Sequence, residues 1–150
     1  MSLASPFFSA LVNKPIAHVW RGYGSALFIE FGEIIEHNGK TTDAKRPRGE
    51  ISLMIEWSWR IERPRSILGG SWSSENKWPG MFRQLVGTTV TEVHTFGALP
   101  EILVSLSNGL RVASFMTADG QPQWALITRT PKLGSLGVQR GVLHVQPPDL

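Results

Sequence analysis

Residues 5–19 read SPFFSALVNKPIAHV, and residues 79–93 read PGMFRQLVGTTVTEV. When the two stretches are aligned at a constant offset of 74, they place apolar residues at the same positions. The matched pairs are Phe8 with Phe82, Leu11 with Leu85, Val12 with Val86, Ile16 with Val90, and Val19 with Val93. The shared positions carry no obvious catalytic group, so the pattern indicates a duplicated core.

The correspondence continues beyond the two aligned stretches. After one inserted residue, residues 27–31 fall on residues 102–106, and both runs are mainly apolar. Farther along the chain, Trp59 and Trp124 each open an apolar stretch. The two halves of the sequence therefore predict the same order of elements.

Each half begins with the signals of a short helix. Pro6 and Pro79 stand at the start of an apolar stripe, where the fixed φ of proline suits the first helical turn. Asn13 and Gly87 follow the stripe, and both residue types commonly end a helix. Runs rich in β-forming residues come next, and Asn108-Gly109 between two of them is typical of a two-residue hairpin turn. Consecutive hairpins form antiparallel sheet.

We therefore predict a single α+β domain of mostly antiparallel β structure over residues 1–150, built from two α-β-β-β repeats with two short helices. Repeat A spans residues 5–63, and repeat B spans residues 79–129. A connecting segment covers residues 64–78, and a C-terminal tail covers residues 130–150.

The longest strand signal lies in residues 51–61, which read ISLMIEWSWRI. Apolar residues occupy every second position from Ile51 to Ile61, a period that no helix produces. The stretch therefore predicts one long strand with one buried face. The predicted core combines this strand with other strands and both helices: Phe8, Leu11, Leu27, Ile29, Phe31, Leu53, Ile55, Trp57, Phe82, Leu85, Ile102, Val104, Leu106 and Val112.

Composition limits the classes of protein that remain. The chain of 150 residues has 41% hydrophobic residues and no cysteine, which excludes disulfides and thiolate zinc sites and fits a reducing compartment such as the cytoplasm. No run of eighteen apolar residues occurs, so we expect no membrane span. The start of the sequence lacks the basic and apolar regions of a signal peptide.

The formal net charge is +3 and the sequence pI is about 9.7, which admits an anion or RNA surface. The residues of that surface would be Lys45, Arg46, Arg48, Arg60, Arg63 and Arg65. Only 18% of residues are charged, however, and nucleic-acid binders usually carry denser basic stripes. The basic runs therefore favour solvated loops, and nucleic acid is not an expected partner.

Motifs that carry chemistry are missing from the sequence. Gly70-Ser71-Trp72-Ser73 lacks the Gly-x-Ser-x-Gly spacing of a hydrolase elbow. Gly39-Lys40-Thr41 lacks the earlier glycine of a phosphate-binding loop. The histidines stand at no short metal-ligand spacing: His18, His37, His94 and His144. We therefore expect neither cofactor nor metal, and a function without catalysis.

Two classes of function stay open beside the anion surface. One is a small-ligand binder or small enzyme with a cleft between the repeats, for which Glu30, Glu56, Arg60 and His94 are the candidate ligand-binding residues. Solvated carboxylates balanced by nearby cations explain the same glutamates more simply.

The favoured class is a non-enzymatic interaction module that binds a protein partner or itself as a homodimer. The sequence holds six tryptophans, and Trp72 and Trp78 flank a polar stretch, so they are less easily placed inside, although a core or covering position is the alternative for both. These two residues are the candidate protein-binding anchors, and a sheet edge is the alternative binding surface.

Overall fold

The computed structural model describes residues 2–35, 47–117, 119 and 123–149. In these ranges the chain forms two helices, a single 3-10 turn and eleven strands. The elements are α1 Ser5–Leu11, β1 Ile16–Arg21, β2 Leu27–Phe31, β3 Ile51–Ile55, β4 Trp59–Glu62, β5 Ile67–Gly70, the 3-10 turn Glu75–Lys77, α2 Trp78–Leu85, β6 Val90–Phe96, β7 Glu101–Leu106, β8 Arg111–Ser114, β9 Trp124–Thr128, β10 Ser135–Gln139 and β11 Val142–Gln146.

The strands form two antiparallel sheets. Sheet 1 has the order β1-β2-β3-β9-β10-β11, and sheet 2 has the order β5-β4-β8-β7-β6. Every described strand pair is antiparallel, so the predicted α+β fold of mostly antiparallel β structure is confirmed. The sequence predicts a short strand at residues 142–145 in the tail, where β11 lies, but it does not predict β5 in the connecting segment or β10 in the tail.

One contiguous apolar cluster joins both sheets and both helices. Nearly all of the predicted core residues belong to it, with Phe8 and Phe82 packed partly buried against it. Burial of this apolar area, at about 25 cal/mol per Å2, supplies the main drive for folding. Trp57 is the exception, because 48% of its surface is exposed.

The prediction of one strand over residues 51–61 is wrong. β3 ends at Ile55 and β4 begins at Trp59, and the two strands belong to different sheets. Trp57 lies in the crossing between the sheets, which explains its exposure. The alternation of apolar residues continues from β3 into β4 without a break, because Ile55 and Trp59 both belong to the shared core.

Because of this crossing, each sheet takes strands from both halves of the chain. Sheet 1 combines β1–β3 with β9–β11, and sheet 2 combines β6–β8 with β4 and β5. Leu53 of β3 stands opposite Leu126 of β9, and Ile61 of β4 stands opposite Val112 of β8. The two sheets have the same order if β1–β5 are matched one by one with β6–β10. Under that match the order β1-β2-β3-β9-β10 of sheet 1 becomes β6-β7-β8-β4-β5, which is the order of sheet 2 read from its β6 edge.

Where the two halves meet, the backbone bonds come in matched pairs. The Asn13 N–H donates to the Val90 carbonyl over 2.8 Å, and the Gly87 N–H donates to the Ile16 carbonyl over 2.9 Å. Under the offset of 74 that aligns the sequence, Asn13 corresponds to Gly87 and Ile16 corresponds to Val90, so the two hydrogen bonds are equivalent. These correspondences support an internal duplication, which stays a prediction.

The two tryptophans that open apolar stretches also make matching contacts. The Trp59 Nε1–H donates to the Ser25 carbonyl over 2.8 Å, and the Trp124 Nε1–H donates to the Pro100 carbonyl over 2.9 Å. Both rings are buried, so each indole nitrogen needs such a partner. Each bond links the first residue of a strand in one sheet to the loop before a strand in the other sheet. The first bond joins β4 to the loop before β2, and the second joins β9 to the loop before β7.

Candidate functional site

The predicted cleft requires four side chains to converge, and the structure does not bring them together. Glu30 lies on β2 of sheet 1 and is completely buried. Glu56 lies in the crossing after β3, whereas Arg60 lies on β4 of sheet 2. His94 is exposed on β6, at the far edge of sheet 2, with its Nε2 3.0 Å from the Glu92 carboxylate. The four residues share no pocket among the described residues.

Glu30 is the centre of a buried polar network in sheet 1. Its carboxylate accepts hydrogen bonds from the Trp20 Nε1–H over 2.9 Å and from the Gly49 N–H over 2.8 Å. The Ser52 hydroxyl donates a third bond to the same carboxylate. Arg129 donates to the Ser52 hydroxyl over 2.8 Å and to the Gly49 carbonyl over 3.0 Å. Glu30 is completely buried and its carboxylate accepts three hydrogen bonds, so the network links β1, β2 and β3 of sheet 1.

Glu30 and Arg129 bring opposite charges to this network, and the Arg48 cation lies near it. Burial lowers the pKa of the Arg129 guanidinium, the negative charge of Glu30 acts in the opposite direction, and the Arg48 cation lowers this pKa further. A buried carboxylate is tolerated where a cation and several donors compensate for its lost hydration. The sequence predicts a solvated position for Glu30, because the sequence does not show which segment covers the outer surface of β2.

The predicted anion surface is divided between the two sheets. Residues 45–46 lie outside the described residues. The guanidinium of Arg48 packs 5.1 Å from the centre of the Trp20 ring, beside sheet 1. Arg60 of sheet 2 pairs with Glu62 over 2.8 Å. The remaining members, Arg63 and Arg65, are exposed between β4 and β5.

The two candidate anchors, Trp72 and Trp78, lie in different environments. Trp78 is the first residue of α2, and only 4% of its surface is exposed. Its ring meets that of Trp59 edge to face, with 5.1 Å between the ring centres. Trp78 is therefore a core residue, and the expectation that it forms an exposed anchor does not fit its packing. Trp72 is 90% exposed.

The backbone around Trp72 is fixed although its ring is exposed. On the N-terminal side, the Ser71 N–H donates to the Trp59 carbonyl over 2.9 Å. On the C-terminal side, the Ser73 N–H donates to the Gly70 carbonyl, and the Ser73 hydroxyl accepts a bond from the Gly70 N–H, each over 3.0 Å. The Trp72 ring therefore projects from a braced turn, that is, a turn whose backbone is held by hydrogen bonds on both sides of Trp72.

Trp72 borders a groove that we call the aromatic groove. It has a volume of about 430 Å3 and continues into a smaller recess of about 280 Å3. Its lining combines Trp57, Trp59, Trp72 and Phe115 with Ile67, Gly69, Gly70, Arg60 and the hydroxyl residues Ser25, Ser58, Ser71, Ser73 and Thr117. Trp57 and Phe115 are 48% and 47% exposed. Among these described lining residues, Arg60 alone is charged.

A second groove, the polar groove, lies on sheet 1 and has a volume of about 380 Å3. It lies along β9, β10 and β11 and is lined by Trp124, Ala125, Ser135, Gly137, Val138, Gln139, Arg140, His144 and Gln146. Its lining differs from that of the aromatic groove, since polar side chains replace most of the aromatic ones.

A strand glycine lines each groove. Gly70 faces β4 beside the Trp59 carbonyl, and Gly137 faces β9 beside the Trp124 carbonyl. A Cβ atom would lie 2.5 Å from the Trp59 oxygen at the first position and 3.2 Å from the Trp124 oxygen at the second. A glycine inside a strand often marks a site of close approach, so Gly70 and Gly137 are the signals by which the sequence indicates the two grooves.

Comparisons with known proteins add no identity. No protein-family model, no curated protein and no solved structure matches this chain. Within the described ranges, no group of three or more histidine, aspartate or glutamate side chains is arranged to hold a metal ion. The helices of the same ranges are too short or too polar to cross a membrane.

Proposed function

We propose that this protein is a non-catalytic interaction module that binds a protein partner through the aromatic groove. The observation that carries the proposal is the 90% exposure of Trp72 on a turn whose backbone is held on both sides. A large apolar ring in water is unfavourable, and tryptophan is among the residues most enriched at the energetic centres of interfaces. A braced turn also lowers the entropy lost when the ring becomes ordered in a complex.

The lining of the aromatic groove favours a partner segment with apolar side chains and an accessible backbone. Half-exposed Trp57 and Phe115 extend the apolar surface beyond Trp72. The serine and threonine hydroxyls of the groove can donate to carbonyl groups and accept from N–H groups. The charge of Arg60 is already engaged, since its guanidinium lies 5.3 Å from the Phe115 ring and pairs with Glu62.

The partner can also be a second copy of this chain. Self-association would place Trp72 of one copy against the aromatic groove of another, or would pair exposed sheet edges. Light scattering after size exclusion separates the two cases, because a homodimer doubles the mass as concentration rises and a module for foreign partners stays monomeric.

Selection of displayed peptides on the immobilised protein tests the proposal. We expect enriched peptides whose affinity falls roughly 30-fold in Trp72→Ala, which corresponds to the loss of about 2 kcal/mol at an interface centre. The matched control is Phe96→Ala, because Phe96 is an exposed aromatic residue at the opposite edge of sheet 2. If Trp72→Ala leaves the affinity unchanged, or if the control is equally harmful, the aromatic groove is not the binding site.

A further inference from the structure

Among the described residues each sheet has two edge strands, and three of these four strands carry a β-bulge. The edge strands are β1 and β11 in sheet 1 and β5 and β6 in sheet 2. An extra residue interrupts the pairing at Ala17 in β1, at Leu68 in β5 and at Thr91 in β6. Such bulges twist an edge away from the straight ladder that another chain would need for pairing. β11 is the exception, because it pairs with β10 over all five of its residues without a register shift.

β11 also lacks the charged residues that protect other edges. The strand Val142–Gln146 reads VLHVQ and contains no lysine, arginine, aspartate, glutamate or proline. By contrast, Arg21 lies in β1 and Glu92 lies in β6. In addition, helix α2 contacts β1 and helix α1 contacts β6. A regular, uncharged edge strand is a favourable template for the addition of another strand.

The turn before β11 determines which backbone groups of this strand face outward. A two-residue turn, both of whose residues have positive φ, joins β10 to β11. The residues that flank such a turn are hydrogen-bonded to each other, and the pattern alternates along the strands. Val142, His144 and Gln146 therefore direct their backbone groups towards β10. The N–H and C=O groups of Leu143 and Val145 point out of the sheet, and no other described strand pairs with them.

We infer that two copies of this chain associate through β11, with the two strands antiparallel and His144 at the two-fold axis. Only residues whose backbone groups face outward can exchange hydrogen bonds, so Leu143 of each copy meets Val145 of the other. Each such pair exchanges both of its N–H···O bonds. This register pairs every residue of β11 and joins the two copies of sheet 1 into one continuous sheet.

The side chains of this register are compatible on both faces of the sheet. Leu143 and Val145 are partly buried against the apolar cluster, so their contact across the axis continues the core layer. On the other face, Val142 is 65% exposed and gains cover beside Gln146 of the second copy. Like charges directly opposite each other destabilise a strand pair, and β11 has no such charge to place against itself.

This interface is separate from the aromatic groove. β11 lies at the edge of sheet 1, whereas Trp72 and most of the aromatic groove belong to β4, β5, β8 and the segment after β5. Trp72→Ala should therefore leave the dimer unchanged, and the dimer can form whether or not the aromatic groove binds a partner. Because a single strand pair forms a small interface, we expect a dissociation constant in the micromolar range.

Cross-linking tests the register, because the chain contains no cysteine of its own. In His144→Cys the two thiols stand at a non-hydrogen-bonded pair, where Cα atoms about 4.5 Å apart allow a disulfide. In the matched control Val142→Cys, on the same exposed face of β11, the two Cα atoms are about 14 Å apart. Mild oxidation should give a covalent dimer with His144→Cys and almost none with Val142→Cys. Equal cross-linking of the two variants would overturn the inference.

Light scattering from micromolar to millimolar concentration tests the association itself. The mass of the unmodified chain should rise towards that of a dimer, and His144→Glu should remain monomeric because it opposes two carboxylates. Mixing His144→Glu with His144→Lys should restore a dimer of one copy of each. His94→Glu, the same change on the edge strand β6, should leave the dimer intact. A monomer at every concentration, no recovery in the mixture, or loss of the dimer in His94→Glu or Trp72→Ala would contradict pairing through β11.

Discussion

A single carboxylate connects three separate parts of sheet 1. Glu30 accepts hydrogen bonds from Trp20 of β1, from the backbone of Gly49 before β3, and from Ser52 within β3. Arg129, at the end of β9, closes the network from the opposite side through Ser52. Removing the negative charge takes away the anion that offsets the partial burial of the Arg129 guanidinium, and it weakens three hydrogen bonds at a completely buried position.

Glu30→Gln should therefore destabilise the protein by about 3 kcal/mol, although its shape is almost unchanged. Urea denaturation at neutral pH measures the free energy of unfolding. Glu92→Gln serves as control, because Glu92 is an exposed carboxylate on β6 and should change stability by less than about 0.5 kcal/mol. Similar losses for the two variants would show that the Glu30 network contributes little.

Residue by residue, the sequence predicts burial better than exposure. Apolar positions such as Ile29 and Leu53 are correctly placed in the core because their alternation is local information. Glu30 is misplaced because its burial depends on Arg48, Gly49 and Trp20, which pack over β2 from outside.

At the scale of elements, the three residues between β3 and β4 decide how the chain is distributed. They carry it from sheet 1 to sheet 2, and the chain returns to sheet 1 between β8 and β9. In both cases a buried tryptophan, Trp59 or Trp124, opens the strand that follows the crossing. Hairpin signals such as Asn108-Gly109 fix neighbouring strands, but no local signal reports that a strand leaves its sheet.

Trp59→Phe and Trp124→Phe should have similar costs in stability, because each removes a buried indole N–H from its partly buried carbonyl partner. We expect the free energy of unfolding to fall by about 2 kcal/mol for each variant, because a hydrogen bond is lost and the packing is reduced. Thermal or urea unfolding provides the measurement. Trp57→Phe, in the exposed crossing, should cost less than about 0.5 kcal/mol. A severe effect of one variant beside a neutral effect of the other would show that the two tryptophans are not equivalent.

At the scale of the whole molecule, neither half contains a complete sheet. Sheet 1 joins the halves through β3 and β9, and sheet 2 joins them through β4 and β8. One apolar cluster spans all of these strands. Cooperative unfolding in one step is the expected consequence.

Dividing the chain after Ser74 tests this architecture. Residues 1–74 and residues 75–150 should each be unfolded alone, since each lacks the strands that cover its half of the core. Mixed in equal amounts, they should recover the far-ultraviolet circular dichroism and the NMR spectrum of the intact chain. A stable fold in either fragment alone would contradict the exchange of strands between halves.

The exchange of strands also affects how the protein is made. A ribosome delivers β3 about 70 residues before β9, the strand with which it pairs. At about 5–20 residues per second, the edge of β3 stays unpaired for several seconds while synthesis continues. During that interval the apolar side chains of the emerging first half are available to other nascent chains. A folding helper that shields them until the last strands arrive would raise the yield of this protein in cells.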